Sequence, residues 1–312
     1  MWTLIAGLFM GWGLGANDAA NLFGPAVGSR ALRFWTAAFL ASIFVVVGAV
    51  LIGERGLVTY ASIGQQTLVS AFTVMLAAGI TVAIMTLFGL PISSTQAAVG
   101  AIIGGGLLTA DGVNLQPLVK IFLSWILTPI GGMLATYVPY KLISIYPHTL
   151  IGRFVAHDSV VRWGLVLVTC YGGFSLGANN VANVTGVYVK SGLLSPRAAV
   201  IFGSLAIVLG MMTFSRRVIQ TVGSRLVPLD PFAALMVVLG ESITLNVYAM
   251  IGVPVSASQA VVGAVVGIGL VKGLKTINKR SLVNVLFGWI GTPTIACGLS
   301  VVLGLLSKAM LG

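Results

Sequence analysis

The longest apolar runs of this chain contain no charged residue, and this feature restricts the available folds more than any other. Residues 34–53 and 68–90 are uninterrupted runs of this kind. Charged residues make up 7% of the chain and hydrophobic residues 58%, whereas soluble domains carry about 25% charge. A helix satisfies its own backbone hydrogen bonds in lipid. The runs therefore predict an all-α, polytopic membrane protein.

Three sequence landmarks occur twice along the chain, in the same order. They are Gly-Ala-Asn at residues 15–17 and 177–179, Pro-x-Ser-x-Ser/Thr-Gln at residues 91–96 and 254–259, and Trp-x-x-Thr-Pro at residues 125–129 and 289–293. The offset between the copies stays at 162 to 164 residues. We predict a duplicated chain, with a first repeat at residues 1–140, a polar linker at 141–162 and a second repeat at 163–312.

The charge pattern predicts that the second repeat is inverted in the membrane. Each repeat has about five apolar segments, and an odd number of crossings reverses the direction of the second copy. Placing both termini outside puts 12 of the 17 basic residues in inside loops, as the positive-inside rule favours. If residues 68–110 formed a re-entrant hairpin, each half would cross three times and the inversion would survive. Inverted repeats with broken helices or re-entrant hairpins are typical of secondary transporters, whose site lies near the midplane.

The basic character of the chain is interpreted here as a membrane property. The net charge is +11, but the cations lie mostly in short connections, which indicates topology and lipid headgroups as partners and not nucleic acid. His148 and His157 lie in the linker, away from any nucleophile-like cluster. The sequence predicts no enzyme and no cofactor, and it places the chain in the plasma membrane as a multi-pass protein.

A polar cluster lies inside the first apolar stretch, at residues 15–21, and Asp18 is the only charge between residues 1 and 27. An ionised carboxylate at mid-membrane costs roughly 2.5 to 3.5 kcal/mol on insertion scales. The second repeat copies the cluster with Asn180 in place of Asp18. Amide and carboxylate oxygens, with backbone carbonyls at glycine-broken helices, suit a small cation. Hydrogen bonding between helices is the alternative for the asparagines.

Glu241 is the second acid within a span, and its counterpart in the first repeat is Ala78. It could bind a cation, carry a proton or pair with a buried donor. The predicted cation ligands are Asn17, Asp18, Asn179, Asn180 and Glu241.

Each Pro-x-Ser turn precedes a helix of small residues. Pro and Ser favour a helix start, and the unpaired N–H groups and positive dipole end of such a start attract anions. Lys and Arg are absent from these segments, so neutral donors would hold the anion. The alternative is ordinary capping with Ser/Thr contacts between membrane helices. The predicted substrate ligands are Ser93, Ser94, Thr95, Gln96, Ser256, Ser258 and Gln259, together with Asn21 and Asn183.

With these motifs placed, the sequence resembles the inorganic phosphate transporter family, the Pit permeases. Residues 15–21 and 177–183 match the duplicated signature of that family, and residues 90–96 and 253–259 resemble its second pair of motifs. The resemblance implies symport of inorganic phosphate with sodium ions or protons across the plasma membrane, and often a homodimer. The chain departs from the family at Gln96 and Gln259, where members often carry His. The lack of a titratable His near the site favours sodium.

The resulting hypothesis is a sodium-coupled phosphate symporter that works by alternating access, with sodium as its coupling ion. Three alternatives stay open: a proton-coupled phosphate symporter, a sulfate permease on the same scaffold, and an anion channel.

Overall fold

The computed structural model describes residues 2–64, 66–87, 92–109, 112–145, 157–222, 229–273 and 279–311. Within these ranges the chain forms thirteen helices and no strand. The first seven are α1 Leu4–Leu22, α2 Gly24–Gly28, α3 Phe34–Ile52, α4 Glu54–Ile63, α5 Leu68–Leu87, α6 Ser94–Gly106 and α7 Leu115–Ile145. The other six are α8 Asp158–Lys190, α9 Pro196–Thr213, α10 Ser215–Val222, α11 Pro231–Met250, α12 Ala257–Lys272 and α13 Lys279–Leu311. The predicted all-α fold is confirmed.

Seven of the described helices are long and apolar enough to cross a membrane: α3, α5, α7, α8, α9, α11 and residues 283–310 of α13. This confirms the polytopic prediction. Helices α6 and α12 have 13 and 16 residues. At about 1.5 Å per residue they are shorter than a hydrocarbon core of about 30 Å. Each is therefore too short to cross the hydrocarbon core, and each packs against the longer helix before it, α5 or α11.

Parts of the predicted turn, linker and basic loops lie outside the described residues, among them Leu90, Pro91, His148, Arg153, Arg225 and Lys275. The predicted linker is helical at both of its described ends, because α7 continues to Ile145 and α8 begins at Asp158.

The helices of the two halves exchange partners. Helix α1 packs against α9 while α3 packs against α8, and α6 packs against α13 while α7 packs against α12. Exchanging corresponding helices of the two halves turns the α1–α9 pair into the α8–α3 pair, and the α6–α13 pair into the α12–α7 pair. A pair of halves related by a twofold axis would produce this pattern, although the division at residues 141–162 stays a prediction.

The first glycine of each polar cluster allows two helix backbones to touch. A Cβ at Gly15 would overlap the backbone carbonyl of Ile207 in α9, and a Cβ at Gly177 would overlap that of Val45 in α3. Helices α1 and α8 run without interruption through both clusters. The expectation of glycine-broken helices at the clusters is therefore wrong, because these glycines serve close packing. Their carbonyls belong to continuous helices and are not released as cation ligands.

Candidate functional site

The predicted site residues form one buried polar layer. Helices α1 and α8 supply the two asparagine clusters, α6 and α12 supply their N-terminal turns, and α11 supplies Glu241. No side chain of the predicted set is more than 7% exposed. The layer is closed to solvent in this structure.

Asp18 joins elements from both halves. One carboxylate oxygen, Oδ2, accepts hydrogen bonds from the Ser94 hydroxyl at 2.8 Å and from the Asn180 amide at 3.3 Å. The other oxygen, Oδ1, is buried without a partner among the described residues. Asp18 thus keeps one oxygen for a ligand while the first fixes its position.

Asn183 connects α8 to both short helices. Its amide donates to the Thr95 hydroxyl at 2.9 Å and to the Asn180 side-chain oxygen at 3.0 Å. Thr95 in turn donates to the backbone carbonyl of Val255, in the turn before α12, at 2.9 Å. The side-chain oxygen of Asn183 has no partner in the described part of the chain. A second buried oxygen is therefore open to a ligand.

The first asparagine of each cluster is engaged in hydrogen bonds to another part of the protein. Asn17 donates to the Thr86 hydroxyl at the end of α5, at 3.0 Å. Asn179 donates to the carbonyl of Leu245 at 3.4 Å and accepts from the Val255 amide at 3.1 Å. Hydrogen bonding between helices, the alternative raised from the sequence, describes these contacts directly. Their role as cation ligands stays a prediction.

Glu241 is the most isolated acid of the layer. Its side chain is fully buried, and neither carboxylate oxygen has a hydrogen-bond partner among the described residues. Its helix, α11, contacts α1, which carries Asp18. No Lys, Arg or His is among the buried side chains of the described ranges. Since an unpaired buried charge is strongly destabilising, this pair requires cations or protons.

The two short helices begin in the same way. The Ser93 hydroxyl accepts from the Gln96 amide N–H at 3.1 Å, and the Ser256 hydroxyl accepts from the Gln259 N–H at 3.2 Å. Both serines are the N-caps that the sequence predicted. Other first-turn N–H groups have no partner within a helix. They provide the anion-attracting end that the prediction required.

Several predicted hydroxyl donors are engaged by the protein itself. The Ser94 hydroxyl is donated to Asp18, that of Thr95 to Val255, and Ser256 and Ser258 share a hydrogen bond of 2.9 Å. An incoming anion would have to displace these bonds. Four predicted substrate ligands keep an unpartnered atom among the described residues, namely the Nδ2 of Asn21, the Oδ1 of Asn183 and the Oε1 atoms of Gln96 and Gln259. Of these four atoms, only the Nδ2 of Asn21 can donate to an anion.

Two contributors were not recognised in the sequence. Thr86 holds Asn17 through its hydroxyl, but a single threonine in an apolar run resembles many others. Val255 acts through its backbone, accepting from Thr95 and donating to Asn179. No side-chain pattern could have revealed that role.

A sequence model described as the phosphate transporter family matches residues 14–300. The chain belongs to the phosphate transporter family. Its similar proteins include one named "Putative phosphate permease" from Chlamydia muridarum, 28% identical over 99% of this chain and 100% of the relative. Another of that name, from Methanocaldococcus jannaschii, is 29% identical over 94% of this chain and 93% of the relative.

A solved structure described as the sodium-dependent phosphate transporter shares the fold. The two structures superpose with a TM-score of 0.90 at 26% identity, and the match covers 100% of both chains. The resemblance inferred from the motifs is confirmed over nearly the whole sequence. Members of the family are membrane transporters and not enzymes.

Proposed function

We propose that this member of the phosphate transporter family takes up inorganic phosphate together with sodium ions by alternating access. The observation that carries the proposal is the pair of buried acids, Asp18 and Glu241, without a basic partner in the described ranges and beside two capped helix N-termini. The similarity to a structure described as sodium-dependent gives independent support.

Electrostatics explains why an anion would need a cation here. Two like charges about 5 Å apart repel by about 3 kcal/mol at an effective dielectric constant of 20. A phosphate ion entering the layer would meet this repulsion from each ionised acid. Sodium bound at the free oxygens of Asp18 and Glu241 would remove it. Cation binding would thereby raise phosphate affinity, and the reverse follows by linkage.

The proposed motion uses the exchanged packing of the halves. Residues 1–140 and 163–312 would be inverted repeats, with both termini outside, and their rocking would expose the closed layer to each side in turn. Moving one net positive charge inward yields about 2.3 kcal/mol per 100 mV. At about 1.4 kcal/mol per decade, this corresponds to roughly 50-fold accumulation.

The test is uptake of labelled phosphate into proteoliposomes, first with an imposed sodium gradient and then with a proton gradient alone. We expect accumulation only with sodium. Downhill flux without accumulation would indicate a channel and contradict the proposal. Accumulation of labelled sulfate in place of phosphate would show that the substrate is sulfate, and it would leave the proposed sodium coupling unchanged.

A second candidate is proton coupling, which the state of Glu241 favours. A carboxyl group that is fully buried, with no hydrogen-bond partner among the described residues, is more stable when it is neutral. Phosphate uptake driven by protons alone, and lost in Glu241→Gln, would establish this candidate. The homodimer implied by the resemblance is tested separately, by cross-linking in native membranes.

A further inference from the structure

A cavity lies at one end of the helices, away from the buried polar layer. It has a volume of about 710 Å³ and lies where α3, α8 and α11 begin. Among its described lining residues are three arginines, Arg30, Arg33 and Arg162, and two acids, Asp158 and Asp230. Neither the transport cycle nor the predicted ligands use any of these five residues.

The charge of this cavity favours an anion. Asp230 is already neutralised by Lys272, whose ammonium group lies 2.5 Å from its carboxylate. Three guanidinium groups therefore face one uncompensated acid, Asp158. Guanidinium groups present planar pairs of donors that match phosphate oxygens.

An apolar groove continues from the same cavity. The groove has a volume of about 750 Å³, shares Arg33 and Arg162 with the cavity, and extends along Leu40, Trp163 and Val166 between α3 and α8. Both helices are long and apolar enough to cross the membrane. The groove therefore opens toward acyl chains and not toward water.

Tryptophan side chains mark the level of the arginines. Trp35 is 57% exposed and Trp163 is 69% exposed, each within two residues of a cavity arginine. Exposed tryptophans collect at the boundary between headgroups and hydrocarbon. The arginines are thus at headgroup depth, and the groove begins where acyl chains begin.

We propose that this composite site binds an anionic phospholipid, with its phosphate among Arg30, Arg33 and Arg162 and an acyl chain along the groove. Free phosphate would satisfy the arginines but leaves the continuous apolar groove unexplained. A lipid with a phosphate head and an apolar tail matches both parts. The site is independent of the proposed transport mechanism.

The test measures quenching of Trp163 by brominated lipids in detergent-solubilised protein. Brominated phosphatidylglycerol and brominated phosphatidylcholine are titrated separately, and the Trp163→Phe variant gives the background from the other tryptophans. We expect phosphatidylglycerol to quench Trp163 at lower concentration. Since each basic residue near an anionic lipid adds a comparable increment of affinity, the double variant R33Q/R162Q should lose roughly 10- to 30-fold.

The matched control is Arg197→Gln, an exposed arginine in the first turn of α9 that does not line this cavity. It should keep the full preference for phosphatidylglycerol. Equal quenching by the two lipids, a preference retained in R33Q/R162Q, or an equal loss in the control would overturn the proposal. Loss of the preference for phosphatidylglycerol on adding inorganic phosphate, while both lipids still quench Trp163, would also overturn it, because the arginines would then bind the free anion and the groove would bind either lipid.

Discussion

The asparagine clusters of α1 and α8 occupy corresponding positions, yet they differ in charge. Asp18 in α1 corresponds to Asn180 in α8, and Glu241 in α11 corresponds to Ala78 in α5. The packing around them is the same in both halves, since Gly15 meets the Ile207 carbonyl as Gly177 meets that of Val45. The close helix contacts and the N-cap serines recur in both halves, and the acids do not.

This difference separates two kinds of residue. Glycines and N-cap serines recur because both halves need the same close packing and the same helix starts. The acids occur once each because a second copy would add uncompensated charge to a layer without buried bases in the described ranges. We therefore expect symmetric variants to have equal effects and the acid variants to have unequal ones.

The largest effect is expected from breaking the shared packing. Gly15→Ala and Gly177→Ala should each lower the free energy of unfolding by about 3 kcal/mol or more, because the new Cβ overlaps a backbone carbonyl that cannot move aside. Melting temperature in detergent measures this loss. Gly298→Ala is the control, since a Cβ there meets nothing within 4 Å. A large difference between the first two variants would contradict equivalent packing.

Asp18→Asn makes the two clusters alike in charge. We expect the sodium concentration for half-maximal uptake to rise about 100-fold, the upper end of what losing even an outer partner of a metal ligand costs. Stability should fall little, because the amide is neutral and can keep the Ser94 contact. The exchange D18N/N180D, which moves the acid to the other half, should restore part of the activation. Unchanged sodium activation in Asp18→Asn would remove this residue from the cation site.

Glu241→Gln removes the acid that lacks partners. We expect about tenfold weaker sodium activation, which corresponds to about 1.4 kcal/mol. The effect should be smaller than for Asp18 because no polar group among the described residues orients this carboxylate. Glu241→Asp, which keeps the charge, should be affected less than Glu241→Gln. The measurement is phosphate uptake against sodium concentration. Equal effects of both variants would mean that side-chain length, and not charge, matters here.

The two capping serines should be equivalent. Ser93→Ala and Ser256→Ala should each cost about 1 kcal/mol, because each removes the acceptor of one first-turn N–H group. The matched Ser→Gly variants should each lower the free energy of unfolding by only a few tenths of a kcal/mol, roughly. Melting temperature and the KM for phosphate are measured together. A higher KM in only one alanine variant would show that the anion uses one helix start more than the other.

The smallest effect is expected at a cap outside the membrane. Asp230 caps α11 and Thr67 precedes α5 at the corresponding position, but only Asp230 adds an ion pair, with Lys272. Asp230→Asn keeps a capping side chain and should cost less than about 1 kcal/mol, since the pair is exposed and screened. Added salt should reduce this cost in a melting experiment, and an unchanged cost would argue against an ionic origin.

The pH dependence of the same pair has a definite sign. Burial raises the pKa of Asp230, but the hydrogen bonds from Lys272 and the Ala233 amide outweigh it, and the pKa lies below its ordinary value of 3.8. A lowered carboxyl pKa stabilises the fold above pH 3.8, and that contribution is lost as pH falls through the lowered value. The difference in melting temperature between native protein and Asp230→Asn should therefore shrink below about pH 4.

Much of the fold was predictable because membrane helices follow from local composition. The apolar runs of α3, α5 and α11, and the N-caps at Ser93 and Ser256, depend on neighbouring residues alone. The continuity of α1 and α8 was not predictable. A glycine can break a helix or permit close packing. The close-packing role of Gly15 and Gly177 is visible only from the carbonyl of Ile207 or Val45 that lies against each of them.

The sequence by itself determined a helical membrane protein and its repeated motifs, and it supplied a set of candidate ligands for a phosphate and a cation. The tertiary structure alone decided which atoms are free. Asn17 and Asn179 are tied to α5, α11 and the turn before α12, while Asp18 keeps one open oxygen and Glu241 keeps two. The physical reason is that hydrogen bonds between residues far apart in the chain depend on helix packing, which no local pattern specifies.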